Sequence, residues 1–166
     1  QAVYVPADDF TDPSAVHVFG HLSASIVLSR DRASQGLYPA IDPLQSSSKL
    51  LTPNVVGQRH YSVARRVRET LAAYDDLSDV IAMLGMEELS KEDQLVVTRA
   101  RRLERFLTQP FFVTEQFTDR SGRMVELEEA LEGCERILAD DLPDHGEGDF
   151  YMIGSLDDLA NPGRRP

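Results

Sequence analysis

Three kinds of residue in this sequence have types and spacings that could do chemistry: paired carboxylates, histidines with one thiol, and a run of aromatic rings. The carboxylate pairs are Asp8-Asp9, Asp75-Asp76, Asp140-Asp141 and Asp157-Asp158. General acid–base work needs two carboxyls in environments that separate their proton affinities. Nothing around these pairs supplies that, so each reads as solvated loop or helix-end residues. His17 and His21, four apart, could share a helix face as metal ligands, but no third ligand stands at a useful spacing. They read as surface or packing histidines. The single cysteine, Cys134, sits in Leu131-x-x-Cys134-x-x-x-Leu138, the spacing of a helix face, and reads as a packed core thiol rather than a nucleophile. One cysteine excludes an internal disulfide framework and suits a reducing compartment. Neither a Gly-x-x-x-x-Gly-Lys-Ser/Thr phosphate loop nor a Gly-x-Ser-x-Gly elbow occurs. The rings are the residue of interest. Gln-Pro-Phe-Phe-Val-Thr-Glu-Gln-Phe, 109 to 117, holds three of the chain's seven Phe, in a sequence without Trp. Such rings are either core filler or faces that grip something flat.

Those candidates need elements to position them. The 166 residues are about one domain's worth, with the 42% hydrophobic and 27% charged composition of a globular chain. A net charge of -11 makes phosphate backbones and anionic lipid surfaces poor partners, so nucleic acid is not expected. No apolar run approaches the ~20 residues of a membrane helix. The N-terminus lacks the basic flank and apolar core of a signal peptide, lacks an initiator Met, and reads as cut from a longer chain.

Residues 1 to 5 alternate, and Ala24 to Leu28 form a short β-branched apolar run; both predict buried strands. Between them Pro6 to Pro13 predicts a loop, as does Gln35 to Pro53 with its serine run. Beyond Asn54 the texture turns helical. Val63, Val67, Leu71, Tyr74, Leu77 or Ser78, Ile81 and Leu84 recur at threes and fours, predicting one helix from Gln58 to Leu84 that ends at Gly85. Ser90 with Asp93 predicts a capped second helix with a buried stripe of Val96, Ala100, Leu103 and Leu107, stopped by Pro110. A third helix fits Leu127 to Leu138, with Leu127, Leu131, Cys134 and Leu138 on one face, and Ser155-Leu-Asp-Asp opens a short last one. The expected class is α+β, mostly α, with strands in front and a helical bundle behind.

Several consecutive phrases make the chain more specific. Gln-Ala-Val-Tyr-Val-Pro-Ala-Asp-Asp-Phe-Thr-Asp-Pro, Ile-Val-Leu-Ser-Arg, Leu-Tyr-Pro-Ala-Ile-Asp-Pro-Leu, His-Tyr-Ser-Val-Ala-Arg, Leu-Gly-Met-Glu-Glu-Leu-Ser-Lys-Glu-Asp and Arg-Phe-Leu-Thr-Gln-Pro-Phe, in order over residues 1 to 159, resemble the catalytic beta subunit of F-type ATP synthases. The resemblance implies the last strands of a RecA-like nucleotide-binding domain in residues 1–53 and the helical C-terminal domain in 54–166. It implies that Tyr38, Phe111, Thr114 and Phe117 line an adenine pocket, with Tyr38 stacked on the base, and that Phe112 packs inside the domain. Aromatic faces suit that task because they bind a flat base without needing its hydrogen bonds. Tyr61 and Arg65 match residues that reach a non-catalytic nucleotide site on a neighbouring alpha subunit. Asp9, Thr11 and Asp12 match a segment that meets the rotating gamma subunit, and Glu87, Glu88, Leu89, Ser90, Lys91, Glu92 and Asp93 match the acidic lever that gamma pushes.

Mg-ATP or Mg-ADP is the implied cofactor of the complete subunit, alpha, gamma and adenine nucleotide its partners, and the cytoplasmic face of the bacterial inner membrane its peripheral location. The family's phosphate loop, catalytic glutamate and metal ligands would lie upstream of Gln1, so no catalytic or metal-binding residue is expected in this chain, which by itself should hold no nucleotide tightly and hydrolyse no ATP. Departures from the family's pattern are Lys91 where an acid is usual, Gln45 for an acid, Lys49 for an arginine and Thr114 for an alanine; they suggest a diverged beta subunit of a bacterial second-copy operon. The competing reading is a non-enzymatic helical interaction module whose aromatic loop meets a protein partner.

Overall fold

A computed structural model of the protein describes residues 11 to 160. The strand expected over residues 1 to 5, the pair Asp8-Asp9 and the predicted stop at Asn161-Pro162-Gly163 lie outside the described residues.

The first described element is a helix that the sequence reading missed. Asp12 accepts the Ser14 amide at 2.8 Å and Pro13 takes the first helical position, so α1 runs over Pro13–His21. An acidic cap followed by proline is a sufficient start signal. The five-residue strand expected from Ala24 to Leu28 is reduced to β1, Ala24–Ser25, which pairs antiparallel with β2, Ser47–Ser48, in the register Ala24↔Ser48 and Ser25↔Ser47. Val27 is buried, but Ile26 and Leu28 are 73% and 70% exposed. Apolar content predicted burial on both faces, whereas burial requires a covering layer, and here only one face has it. Between the strands, Ser29 caps the short helix α2, Arg30–Ser34.

The helical part follows the predicted pattern closely. After the one-turn α3, Pro53–Val56, helix α4 spans Gln58–Leu84 and ends at Gly85, whose φ of 90° lies where a side chain is strained. Val63, Val67 and Leu71 bury the front of its stripe, while Met83 and Leu84 at the far end are exposed. A 3₁₀ turn, Met86–Glu88, leads to α5, Lys91–Phe106, capped as expected by Ser90, whose hydroxyl accepts the Asp93 amide at 3.1 Å. The buried stripe of α5 is Val97, Ala100, Leu103 and Phe106 rather than one beginning at Val96 and ending at the exposed Leu107. Val96 and Val97, like Phe106 and Leu107, are adjacent and equally apolar, so the choice falls to the partner helices. Reciprocal capping by Glu126 and Glu129 starts α7, Leu127–Leu138, after the short α6, Glu115–Thr118; Leu127 is exposed instead of joining the buried face.

Helix α5 is the centre of the core, between α4 and α7 and against the turn Glu147–Phe150. Ala100, Leu103 and Phe106 share one buried cluster with Val67 and Leu71 of α4, Leu131, Cys134 and Ile137 of α7, and Phe150, Ile153 and Leu159. Burial pushes the Cys134 thiol up to about 12, which fits a packed thiol and not a nucleophile. At Gly133 an added Cβ would come within 2.0 Å of the Phe106 ring, so α7 crosses α5 at a distance only glycine permits. Polar ties bind the front of the chain to this core. The Arg68 guanidinium donates to the carbonyls of Pro43 and Ser46, each at 2.7 Å, and of Leu44 at 3.0 Å. Arg59 bridges α4 to Glu128 and Glu135 of α7. Helix α8, Asp157–Ala160, ends the described chain. Among the described residues no helix is long and apolar enough to cross a membrane.

Candidate functional site

Tyr38 sits on the connection between α2 and β2. Its backbone is fixed by its own carbonyl, which accepts the Gln109 amide at 2.8 Å, and its hydroxyl donates to Ala33 O at 3.3 Å. The ring is left 45% exposed. Gln109 is also where the aromatic loop begins, so one backbone hydrogen bond joins the two predicted halves of the adenine pocket.

From there the chain makes a 3₁₀ turn, Phe112–Thr114, and the single helical turn of α6, closed by Asp119 at a φ of 54°. Thr114 Oγ1 donates to Phe111 O at 3.0 Å, Thr118 Oγ1 donates to Thr114 O at 3.0 Å, and Glu115 Oε1 accepts the Gly122 amide at 2.6 Å. The loop is thus closed by short polar contacts and leaves its rings outward, with Phe111 39% and Phe117 81% exposed. Phe112, expected to pack inside, is 63% exposed; it lies against the backbone at Gly122 instead of entering the core. Three rings in nine residues read as core material by composition, but the loop's fold leaves all three in solvent.

The remaining predicted sites are separate from these rings in sequence and on different elements. Tyr61 and Arg65 lie on the first turns of α4. Arg65 Nε bonds Glu69 Oε1 at 2.7 Å, and that hydrogen bond raises the affinity of the exposed guanidinium for its proton. Glu87, Glu88, Ser90, Lys91 and Glu92 are exposed in the turn between the two longest helices, with Leu89 and Asp93 partly covered. Gln94 Nε2 holds that turn by donating to Leu89 O at 3.0 Å and Met86 O at 3.3 Å. Thr11 is exposed, Asp12 caps α1, and Asp9 lies outside the described residues. His17 and His21 stack edge to face at 5.0 Å on the exposed side of α1. Among the described residues no group of three His, Cys, Asp or Glu could hold a metal ion.

In two of the carboxylate pairs one member is not solvated as expected, while Asp141 and Asp157 are exposed. Asp140 is half-buried and its carboxyl is held below the ordinary range by the Arg99 guanidinium, 2.5 Å away. Asp158 is 1% exposed and bonds Arg123 Nη2 at 2.8 Å. No spacing in the sequence joins positions 123 and 158; a buried acid this far along the chain shows itself only once the tail is folded back. On the other side of the Tyr38 connection, Glu104 of α5 meets Arg32 of α2 at 3.0 Å. Burial pushes the Glu104 carboxyl up more strongly than Arg32 pulls it down.

Residues 50–140 match the C-terminal domain of V and A type ATP synthase, and residues 1–48 match the nucleotide-binding domain of the ATP synthase alpha/beta family. The chain belongs to the ATP synthase alpha/beta family. Among its relatives in that family, ATP synthase subunit beta 1 of Marinomonas sp. (strain MWYL1) is 70% identical over 99% of this chain and 34% of its own length. ATP synthase subunit beta 2 of Albidiferax ferrireducens is 67% identical over the whole chain and 32% of its own length. The chain therefore spans about a third of the length of the curated relatives it matches. Of solved structures, an ATP synthase subunit of Nanoarcheaum equitans, NeqB, superposes with a TM-score of 0.69 at 26% identity, covering 82% of this chain and 34% of that one. The type III secretion ATPase EscN of enteropathogenic E. coli shares the fold alone, with a TM-score of 0.64 at 23% identity, covering 82% of this chain and 31% of its own. The mostly α class, with an end of a nucleotide-binding domain ahead of a helical domain, is the architecture the family matches describe.

Proposed function

We propose that this chain supplies the adenine end of the catalytic nucleotide site and the helical lever of a rotary ATP synthase beta subunit. Tyr38 stacks on the base, and Phe111, Thr114 and Phe117 close around it. Residues 1–53 serve the nucleotide-binding domain and 54–166 the helical domain. The observation that carries the reading is the pair of solvent-facing aromatic surfaces, Tyr38 and Phe111 with Phe117, on two loops joined by the Gln109–Tyr38 backbone bond, in a chain of this family. Exposed rings on a rigid support fit a flat base better than they fit a core. Magnesium and the phosphates would be held by residues that precede this chain in the complete subunit, and ATP synthesis or hydrolysis is the activity of that subunit.

Tyr61 and Arg65, on the opening turns of α4, are offered to a nucleotide site shared with an alpha subunit. Thr11, Asp12 and the exposed segment from Glu87 to Asp93 are offered to gamma, which would tilt α4 and α5 and so open or close the catalytic site. Through these partners the protein would lie peripherally at the cytoplasmic face of the bacterial inner membrane.

The decisive test is nucleotide affinity in the complete subunit assembled with its partners. Tyr38→Ala or Phe117→Ala is expected to weaken ATP binding by about 1 to 3 kcal/mol, the range for losing one ring stacked on a base. Tyr38→Phe should lose little, since the face and not the hydroxyl makes the contact. Unchanged affinity in Tyr38→Ala would return these rings to a structural role.

A further inference from the structure

We propose that Arg123 and Asp158 are positioning residues for the adenine clamp: their half-buried ion pair fixes the aromatic loop against the C-terminal turn and thereby sets where Phe111 and Phe117 stand. The proposal rests on the clamp reading of Tyr38, Phe111 and Phe117, and adds to it two residues that never touch the base.

The loop's own bonds do not anchor it to the helical core. Those within 111–122 close the loop on itself, and what attaches its far end is Arg123. The Arg123 amide donates to Pro110 O at 3.1 Å, and its carbonyl accepts Gln109 Nε2, so the backbone of Arg123 closes the loop across its neck. Its side chain reaches the other way. Nη2 bonds Asp158 Oδ1 at 2.8 Å and Oδ2 at 2.9 Å, and Oδ2 also accepts the amides of Gly154 at 2.9 Å and Ser155 at 3.3 Å. Asp158 is buried, and its carboxylate is met by one cation and two backbone donors, an arrangement with little freedom left. The Arg123 side chain is partly exposed but the carboxylate is enclosed, so removing the cation leaves a buried charge without its partner.

The same turn also holds the other half of the clamp. Tyr151 donates through its hydroxyl to Gly36 O at 2.8 Å, two residues before Tyr38. Its ring lies under the guanidinium of Arg105 of α5 at 5.7 Å and that of Arg120 of the aromatic loop at 5.5 Å. Met152 donates its amide to the buried Thr108 hydroxyl at 2.8 Å, just ahead of Gln109. One short turn, 151 to 158, is therefore bonded to the backbone on the Tyr38 side and to the neck of the Phe111–Phe117 side. Loosening it moves the rings relative to one another without removing either.

The test is made in the complete subunit within its assembled complex. Asp158→Asn keeps the shape and an oxygen for the Gly154 and Ser155 amides but removes the charge that Arg123 faces; Arg123→Gln removes the cation. Each is expected to raise the KM for ATP by about three- to tenfold, at the low end of what loss of a whole ring costs, with kcat changed less than twofold. Arg123→Lys, which retains a cation for the single nitrogen that makes the contact, should stay within about twofold of the parent. In a Phe117→Trp background, the only tryptophan contributed by this chain, Asp158→Asn should lower the indole's fluorescence anisotropy in the absence of ATP. Phe117→Ala run in parallel separates the two ideas. If Phe117→Ala weakens ATP and the Asp158 and Arg123 variants do not, the clamp stands and the positioning role is overturned. If Phe117→Ala leaves ATP binding intact, the clamp reading falls and the positioning role with it. If Asp158→Asn and Arg123→Lys both lose kcat and melting temperature together, with unchanged anisotropy at position 117, the pair is only structural and the proposal is wrong.

Discussion

The α4–α5–α7 core and the loop from Gln109 to Arg123 both carry large apolar side chains and are held by opposite means. In the core, Leu103, Val97 and Ile137 have no exposed surface, and side-chain packing fixes the helices. In the loop, Phe112, Val113 and Phe117 stay in solvent, and the conformation is fixed by hydrogen bonds that Thr114, Thr118 and Arg123 donate and that Glu115 accepts. Apolar residues in the first region are the cause of the structure. In the second they are cargo that polar contacts hold in place. A region of the second kind is available for binding, because covering its rings with a ligand gains burial that folding left unused.

The contrast is broken most directly by truncation. Leu103→Ala is expected to lower the stability of the chain by about 3 kcal/mol, the cost of deleting a fully enclosed aliphatic group, whereas Phe117→Ala should change it by less than about 0.5 kcal/mol. Urea midpoints of the two variants check this; comparable losses would mean that Phe117 belongs to the core after all.

A smaller effect tests the seam where α2 meets α5. The Glu104 carboxyl has its proton affinity raised in the folded chain by burial, in spite of Arg32. The folded state therefore holds that proton more tightly than the unfolded one, so the contribution of Glu104 is most favourable below the ordinary glutamate value of about 4.3 and is lost as pH rises through the raised folded value. Glu104→Gln removes this dependence and keeps a polar partner for Arg32. Its stability relative to the parent should rise on going from about pH 4 to about pH 7, by no more than about 1 kcal/mol. Asp140 runs in the opposite sense, since Arg99 depresses it and its contribution fades as the solution is acidified. Denaturation curves at the two pH values separate them; a gap between parent and variant that narrows toward acid as expected sharpens the contrast, and a gap of the reverse sign would show Arg32 winning over desolvation.

The smallest change is expected at the exposed turn. Lys91 occupies the first position of α5, where an acid is favoured by the helix dipole but is opposed here by Glu87, Glu88, Glu92 and Asp93 nearby in the chain. Lys91→Glu should shift the melting point by no more than ~0.5 kcal/mol allows and leave turnover of the assembled enzyme nearly unchanged.

What the sequence made legible follows the same division. The bounds of α4 and the cap of α5 were readable because Gly85 and Ser90 act locally, and the stripe Val63, Val67, Leu71 because the helical period is short-range information. The stripe of α5 was misplaced at both ends because Val96 competes with Val97 and Leu107 with Phe106, and only the neighbouring helices decide between them. Ala24 to Leu28 was overextended as a strand for a related reason: burial depends on what covers a segment, and a composition cannot carry that. By density alone the rings at 111 and 117 read as core, and only the family resemblance gave them a task; the structure leaves both exposed and contradicts the inward packing expected of Phe112. Arg123 and Asp158 were invisible, since their meaning is a contact between positions 35 residues apart.

The close crossing at Gly133 has a mechanical meaning. With the Phe106 ring seated where a β-carbon would otherwise be, α7 rests on α5 without an intervening side chain at this point, and bringing Cys134 or Glu132 to the same place would require that ring to move. Relative sliding of these two helices, a common way for packed helices to accommodate movement, is thereby resisted. Displacement of α5 would therefore carry α7 with it, as through a seated joint rather than a greased one.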